Sequence, residues 1–271
     1  MEVDIGKIRS FRRRIWSWYR RHGRDLAWRE TRDPYQIVVS EIMLQQTQVA
    51  RVAVKFPEFI KKFGGWSKLA AASRGEVLIA WQGLGYNRRA KALHDLAKEV
   101  VSRYGGAIPS DTAQLLALPG VGTYTAAAIR AFAFNLPEVV IETNIRAVFL
   151  QEFFQPKQIV RDVEILPLII VSLSRRNPRE WYYALMDYGS ALKRRQPQLG
   201  RQSAHYVKQS PFRGSRREIR GKILKLLANA GPQTGQQIHG ALGATATPTA
   251  TILLELLNEG LIRRSGGRYK L

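Results

Sequence analysis

The fold is decided by the stretch LLALPGVGTYTAAAI, which runs from Leu115 to Ile129. Two glycines, Gly120 and Gly122, lie in a tight turn between two apolar helical segments. Glycine permits a positive φ angle, and the backbone amides at the start of the second helix can then converge on one point. Such amides can hold a phosphate oxygen without reading any base. The stretch therefore predicts a helical hairpin that binds a phosphate backbone.

Helical periodicity dominates the sequence around this stretch, as in Ile8, Phe11 and Ile15, and alternating strand patterns are scarce before the last few residues. We expect residues 1–192 to form one compact all-helical domain. Residues 193–214 are polar and basic, which predicts a linker. Residues 215–271 contain three short helical patterns and a terminal Gly-Gly turn, and they resemble a winged helix-turn-helix. A helical dimerisation cap is the alternative for this last segment.

The charge balance points to a nucleic-acid partner, because 43 Lys and Arg residues oppose 21 Asp and Glu residues and give a net charge of +22. A ribosomal or membrane-surface protein can be as basic, but no motif supports either class.

The sequence contains no stretch of about 18 apolar residues, so we expect a soluble intracellular protein. It also contains no cysteine, which excludes disulfides and cysteine-ligated iron–sulfur clusters. The four histidines follow no metal-ligand spacing, and we expect no metal or cofactor.

The longer string LPGVG-x-YTA resembles the helix-hairpin-helix of the endonuclease III and MutY superfamily of DNA glycosylases. Four further stretches resemble MutY-type adenine glycosylases, and together they extend the resemblance over roughly residues 20 to 190: Trp28-Arg29, SEIMLQQTQV (Ser40–Val49), GLGYNRRA (Gly83–Ala90) and LMDYG (Leu185–Gly189). The resemblance implies an all-α, two-lobed glycosylase fold. It also implies excision of a mispaired adenine, opposite 8-oxoguanine or guanine, from double-stranded DNA.

Excision of a purine needs a proton on the departing base and negative charge beside the sugar, and two carboxylates commonly supply them. Glu41 lies in an apolar run, which predicts a raised pKa, and by resemblance it is the general acid. The family's second carboxylate is an aspartate, but this sequence has Glu142 in that place, 18 residues after Tyr124. We expect Glu142 to stabilise the cation and Asn144 to position nearby groups. The extra methylene favours either a shifted pocket or a different substrate.

Tyr124 indicates whether the enzyme only removes a base or also cleaves the DNA strand. In bifunctional relatives a lysine at the matching position attacks the sugar and forms a Schiff base, and tyrosine cannot form one. We therefore expect a monofunctional glycosylase that uses water and leaves an abasic site. The phenol is expected to hydrogen-bond the base or the sugar; a packed aromatic side chain is the alternative.

The resemblance implies three further groups of residues. Gln46 and Tyr86 are expected to invade the base stack as a wedge, with Thr47 and Leu84 beside the opposite base. Trp28, Arg29 and Asp187 are expected to line the base pocket. For these residues core packing or a surface ion pair is the alternative. The remaining group is expected to bind DNA phosphates and comprises Gly120, Val121, Gly122, Tyr124, Thr125, Arg88, Arg89, Lys193, Arg194, Arg195 and Arg201.

Two departures from the family leave alternatives open. The region from Lys193 to Gln209 lacks the family's four cysteines, which predicts a clusterless variant whose basic loop grips phosphates. The family's carboxy-terminal domain, which senses 8-oxoguanine, is replaced by the small helical segment. A mismatch thymine, uracil or hypoxanthine glycosylase is therefore the nearest alternative, and a non-catalytic DNA-binding protein is the alternative of another class. We expect a monomer that acts in the cytoplasm, at the nucleoid, if the cell is prokaryotic.

Overall fold

A computed structural model describes residues 4–156, 159–208, 211–243 and 249–271. The described part is mostly helical, as the periodicity predicts. Its helices are α1 (Ile5–His22), α2 (Ala27–Glu30), α3 (Pro34–Leu44), α4 (Val49–Lys62), α5 (Trp66–Ala71), α6 (Arg74–Ala80), α7 (Arg88–Tyr104), α8 (Thr112–Leu116), α9 (Thr123–Phe132), α10 (Thr143–Phe153), α11 (Asp162–Ser172), α12 (Pro178–Arg195), a 3-10 helix (Pro197–Gln202), α13 (Arg216–Ala230), α14 (Gly235–Leu242) and α15 (Thr249–Asn258). The strands are β1 (Gln233–Thr234), β2 (Arg263–Ser265) and β3 (Arg268–Lys270).

The chain divides into two compact units that alternate along the sequence. The first unit comprises Met1–Ile37, Ser110–Leu116 and Val121–Lys208, and the second comprises Val38–Pro109, Ala117–Gly120 and Gln209–Leu271. The domain boundaries expected at residues 192 and 215 stay a prediction, and residues 209 and 210 of the expected linker lie outside the described residues.

The core of the first unit forms where α1, α10 and α12 pack together. The ring of Phe11 lies 5.4 Å from that of Phe149, 5.2 Å from that of Phe153 and 5.9 Å from that of Trp181. Phe11, Phe149 and Trp181 are at most 1% exposed. Edge-on and tilted aromatic contacts at these distances add to the stabilisation that comes from burial. This core carries the N-terminus of α10 and one face of α12, which both bear candidate site residues.

The core of the second unit forms around α4, α5 and α7. The ring of Phe59 lies 4.9 Å from that of Phe63 and 6.0 Å from that of Trp81, and both Phe59 and Trp81 are at most 1% exposed. Trp81 Nε1 donates a hydrogen bond to the carbonyl of Gly85 at 3.1 Å. This bond ties the glycine-rich loop that follows α6 to the core.

The C-terminal part of the second unit has the topology expected of a winged helix-turn-helix. The predicted hairpin is confirmed, because β2 pairs antiparallel with β3, with Arg264 opposite Tyr269. Gly266 and Gly267 form its turn with φ angles of 55° and 77°. The periodicity did not predict β1, which pairs with β3 on its other edge and makes the strand order β1-β3-β2. A strand of two residues leaves no periodic pattern, so its formation depends on the partner strand.

Within the described ranges, no helix is both long enough and apolar enough to cross a bilayer.

Candidate active site

Glu41 lies in α3, within the second unit, and is 8% exposed. Its helix neighbours Val38, Val39, Ile42 and Met43 are at most 2% exposed. The helix around Glu41 is therefore buried and apolar. A carboxyl group in such a setting can hold and deliver a proton away from bulk water.

Glu142 lies in the first unit and is the N-cap residue of α10. Its Oε1 accepts hydrogen bonds from the backbone amides of Asn144 and Ile145, both at 2.8 Å. Its Oε2 accepts from Thr143 Oγ1 and from Asn144 Nδ2, both at 3.2 Å. The carboxylate of Glu142 thus accepts four hydrogen bonds at the N-terminal end of a helix. Asn144 therefore positions the carboxylate directly, as expected from the sequence.

Gly189 of α12 allows the N-terminus of α10 to approach closely. A Cβ atom at Gly189 would lie 2.1 Å from the carbonyl oxygen of Asn144 and 2.6 Å from its carbonyl carbon. Both obstacles are backbone atoms, which cannot swing aside as a side chain can. Any larger residue at 189 must therefore push α12 and the Glu142 cap apart. The sequence singled out this glycine only as the end of a motif and gave no sign of the contact.

The hairpin that decides the fold has the predicted tight turn. Gly120 adopts a φ of +75°, and a Cβ atom there would lie 2.6 Å from Cβ of Ala92. Gly122 is the N-cap of α9 and offers no capping side chain. Val121 and Thr125 are 7% and 4% exposed, so only their backbone amides can serve a phosphate. Tyr124 is half-buried in the first turn of α9.

The expected base-pocket residues are more deeply packed than the sequence suggested. Arg29 donates two hydrogen bonds to Asp187, from Nη1 to Oδ2 and from Nη2 to Oδ1, each at 2.8 Å. The side chain of Asp187 is fully buried, and that of Arg29 is 9% exposed. The Arg29 guanidinium also lies 4.4 Å from the ring centroid of Tyr183, while Trp28 is 4% exposed. Arg29 and Asp187 bind each other and Trp28 packs in the core. The expected contact of these three residues with a base stays a prediction.

Sequence reasoning missed Arg24, which completes this ion-pair cluster. Its backbone amide donates to Asp187 Oδ2 at 2.8 Å and its Nε to Oδ1 at 2.7 Å. Burial alone would raise the pKa of Asp187, but the hydrogen bonds from Arg29 and Arg24 outweigh burial and hold the pKa below its usual range. Arg24 and Asp187 line a cavity of about 390 Å³ together with Trp18, His22, Ala191, Arg194 and Arg195. No local signal distinguishes Arg24 from the nearby arginines, so only the fold reveals it.

The expected wedge residues lie on two loops of the second unit with unusual backbone conformations. Gln46 and Tyr86 have φ angles of 53° and 48°, which non-glycine residues rarely adopt. Gln46 is exposed, and Tyr86 is 36% exposed. Strain of this kind persists only where surrounding contacts enforce it, and it is common at functional sites.

Leu84, expected beside the opposite base, and Arg89, expected to bind phosphate, make other contacts in the structure, and their expected roles stay predictions. Leu84 is 3% exposed, so its side chain belongs to the core and only its carbonyl reaches the loop, where it accepts from Thr47 Oγ1 at 3.1 Å. Arg89 was expected to bind phosphate. Its Nη1 instead donates to the carbonyls of Ile42 at 2.7 Å and Met43 at 2.9 Å, and its Nη2 donates to Thr47 Oγ1 at 2.9 Å. Arg89 therefore caps the C-terminal end of α3 and ties the two wedge loops together.

The other expected phosphate ligands differ in their surroundings. The Arg88 side chain is 74% exposed but pairs with Glu259 at 2.6 Å. Lys193 Nζ donates to Thr143 Oγ1 at 3.3 Å, next to the Glu142 cap. Arg194, Arg195 and Arg201 are exposed. The last three can reach a DNA backbone without breaking any ion pair that the described structure shows.

Known proteins resemble this chain in sequence and in fold. The family model for HhH-GPD superfamily base excision DNA repair proteins matches residues 39–173. The adenine DNA glycosylase of Mycobacterium tuberculosis (strain CDC 1551 / Oshkosh) is 34% identical over 280 residues, which cover 94% of this chain and 91% of that protein. The thymine-DNA glycosylase of Aeropyrum pernix is 39% identical over 145 residues, which cover 53% of this chain and 65% of that protein.

A solved structure of a thermostable thymine-DNA glycosylase shares the fold with a TM-score of 0.61 and 28% identity, over 68% of this chain and 87% of that one. The hairpin, the capped Glu142 and the buried Glu41 lie within the residues that these similarities span. The chain therefore belongs to the HhH-GPD superfamily of base excision DNA repair proteins, among the adenine DNA glycosylases.

Proposed function

We propose that this DNA glycosylase removes adenine mispaired with guanine or 8-oxoguanine from duplex DNA and leaves an abasic site. The observation that carries the proposal is the contrast between its two candidate carboxyl groups. Glu41 is 8% exposed among apolar helix neighbours, whereas Glu142 accepts four hydrogen bonds at the start of α10. Pairs of carboxyl groups in such contrasting settings divide the work of acid and anion in glycoside hydrolysis.

Glu41 serves as the general acid in this proposal. A proton delivered to the ring of the adenine turns the base into a better leaving group as the bond between the base and the sugar breaks. The burial of Glu41 limits the access of bulk water to the proton. The bond electrons leave with the base, and the sugar becomes an oxocarbenium-like cation.

Glu142 stabilises that cation as a fixed anion. Since its four donors already hold it in place, little reorganisation is needed when positive charge develops on the sugar. Water then adds to the sugar and loses a proton to the carboxylate that Glu41 keeps after protonating the base, which yields the abasic site and restores the acid. Asn144 acts by positioning Glu142 through the hydrogen bond from its Nδ2 at 3.2 Å.

Tyr124 makes the enzyme monofunctional, because a phenol cannot form the Schiff base by which a lysine starts strand cleavage. Borohydride added during turnover traps only such an imine. We expect no trapped complex from this chain and no strand break without added alkali. A trapped complex that depends on a lysine of this chain would contradict the assignment.

The phosphate backbone is held by the α9 N-terminus and by exposed cations in this proposal. The open N-cap at Gly122 supplies backbone amides, and Lys193, Arg194, Arg195 and Arg201 supply charge. We further propose that the protein acts as a monomer, and at the nucleoid if the cell is prokaryotic.

An iron–sulfur cluster does not fit this chain. The sequence has no cysteine, and thiolates are the ligands that such clusters require. Leu199, in the 3-10 helix that follows α12, is 6% exposed, and the amide of Ala204 donates to the carbonyl of Val160 at 2.9 Å. Apolar packing and backbone hydrogen bonds therefore order this segment.

Excision of thymine or uracil opposite guanine is the second candidate, supported by the 39% identity to the Aeropyrum pernix thymine-DNA glycosylase. The test is a panel of duplexes with A·8-oxoguanine, A·G, T·G, U·G and hypoxanthine, each treated with alkali after incubation to reveal abasic sites. We expect cleavage of the first two duplexes. Cleavage of T·G or U·G alone would favour the second candidate, and no cleavage with retained binding would favour a non-catalytic DNA-binding protein.

A further inference from the structure

A cavity of about 590 Å³ opens beside the wedge residues in the second unit. Its lining joins the two wedge loops to helices α13 and α15 of the C-terminal segment. The lining residues are Gln45, Gln46, Tyr86, Asn87, Arg88, Arg89, Arg217, Arg220, Glu255 and Glu259. No residue of α13 or α15 was assigned a role by the sequence.

Arg217 of α13 is in direct contact with the wedge tyrosine. Its Nη1 donates a hydrogen bond to the hydroxyl of Tyr86 at 2.7 Å, and its Cζ lies 5.7 Å from the centroid of the Tyr86 ring. The ring also contacts Arg89, whose Cζ lies 5.5 Å from the centroid. These contacts fix the orientation of the tyrosine. They also place the guanidinium of Arg217, which has two parallel N–H donors and is here called the fork, where the wedge would enter a base stack.

Partly exposed ion pairs connect the residues of the cavity wall. Arg220, with a side chain 19% exposed, pairs with Glu255 at 3.3 Å and also with Glu259. Glu259, 12% exposed, also pairs with Arg88 at 2.6 Å. The cavity therefore presents fixed hydrogen-bond donors and acceptors in one place. A nucleobase edge offers the same mixture of groups.

The proposed function requires a site that recognises the opposite base, and the inference rests on that function. Adenine is a normal base, and it is chemically identical in an A·T pair and in an A·G mispair. The base to be removed thus carries no sign of damage. The information that distinguishes a mispair must come from the opposite base, which lies beside the wedge once adenine has left the stack.

We propose that this cavity binds the base opposite the excised adenine and that Arg217 selects guanine over thymine. Guanine presents two neighbouring acceptors, O6 and N7, which match the two-pronged donor of an arginine. Thymine presents one carbonyl and a methyl group on the corresponding edge. The negative charges of Glu255 and Glu259 would repel a phosphate in this position, which favours a base over the DNA backbone as the occupant.

The test measures opposite-base preference without requiring catalysis. Fluorescence anisotropy gives the affinity for duplexes that carry a tetrahydrofuran abasic-site analogue opposite guanine, 8-oxoguanine or thymine. We expect the wild-type protein to bind the guanine duplex more tightly than the thymine duplex. 8-Oxoguanine carries a hydrogen on N7 and cannot accept both prongs of the arginine there, so its duplex should gain less than the guanine duplex. R217A should reduce this preference about tenfold, the effect of losing one two-pronged contact to guanine. K225A, which removes one charge from an exposed position of α13 outside the cavity lining, should leave the preference unchanged.

R217K separates loss of the fork from loss of charge or of folding. It keeps the cation but cannot make two parallel hydrogen bonds, so we expect the preference to fall while the salt dependence of binding stays as in the wild type. Equal weakening of all three duplexes by R217A would identify a phosphate contact and overturn the inference. A wild-type protein without any opposite-base preference would also overturn it. If the wild type shows the preference but releases no adenine from an A·G duplex, the proposed function fails while the binding site stands.

Discussion

At position 142 the carboxylate has little freedom, because each of its oxygens accepts two hydrogen bonds. The helix cap therefore holds the Glu142 carboxylate in one position. Displacements on the order of 1 Å can cost about 100-fold in rate, so the position of this group matters more than its chemical class. The local sequence predicted the carboxylate and its asparagine neighbour but not this geometry.

We expect E142Q to reduce the single-turnover rate of adenine release by about 100-fold or more, since the amide keeps the shape of the side chain and loses the charge that faces the cation. E142D keeps the charge and should lose less activity than E142Q. The rates are measured under excess enzyme with an A·8-oxoguanine duplex. Equal rates for E142Q and the wild type would rule out an electrostatic role for this residue.

Gly189 is a positioning residue for the Glu142 cap. In G189A the new methyl group would overlap the carbonyl of Asn144, so the cap must shift and we expect the rate of adenine release to fall by about 100-fold. G221A is the matched control, because Gly221 also lies within a helix and a Cβ atom there meets nothing within 4 Å. That variant should keep its rate and gain about 0.5–1 kcal/mol in the free energy of unfolding. Similar rates for the two variants would contradict the positioning role.

At the scale of elements, the structure assigns a supporting role to an arginine that the sequence predicted to be a DNA ligand. Arg89 lies on α7 and donates hydrogen bonds to carbonyls at the end of α3 and in the loop before α7. Burial lowers the pKa of Arg89 to about 10. Since several carbonyls depend on this one side chain, the two wedge loops are held as a single unit.

We expect R89A to lower the free energy of unfolding by about 2–4 kcal/mol, because several carbonyls would lose their charged donor. R88A removes a neighbouring side chain that is 74% exposed and should cost about 1 kcal/mol or less. Urea denaturation followed by tryptophan fluorescence gives both values. A cost for R89A no greater than that for R88A would show that Arg89 does not organise the loops.

The elements that the sequence predicted are those specified by local pattern. The hairpin from Leu115 to Ile129, the three C-terminal helices and the β2–β3 turn each follow from glycine placement and helical periodicity. By contrast, Arg24, the burial of Leu84 and strand β1 depend on residues distant in the sequence. No local pattern encodes such contacts, so the base-pocket side chains were identified by resemblance but their mutual pairing was not.

For the whole molecule, the net charge of +22 predicts DNA binding with a steep dependence on salt. Loss of one phosphate contact makes the slope of log K against log salt concentration less steep by about 1. We expect R195A to make the slope less steep by about this amount, since Arg195 is exposed at the end of α12. R103A serves as the control, because Arg103 is exposed but pairs with Glu99 one helical turn away. An unchanged slope for R195A would remove it from the DNA contact.

The central claim is that the two carboxyl groups of this chain cooperate in the release of adenine. The most direct measurement is the single-turnover release of adenine from an A·8-oxoguanine duplex by the wild type and by E41Q, with the affinity of both for the same duplex. We predict that the wild type releases the base, that E41Q shows no detectable release, and that the two affinities agree within a few-fold. Release by E41Q at the wild-type rate would contradict the claim.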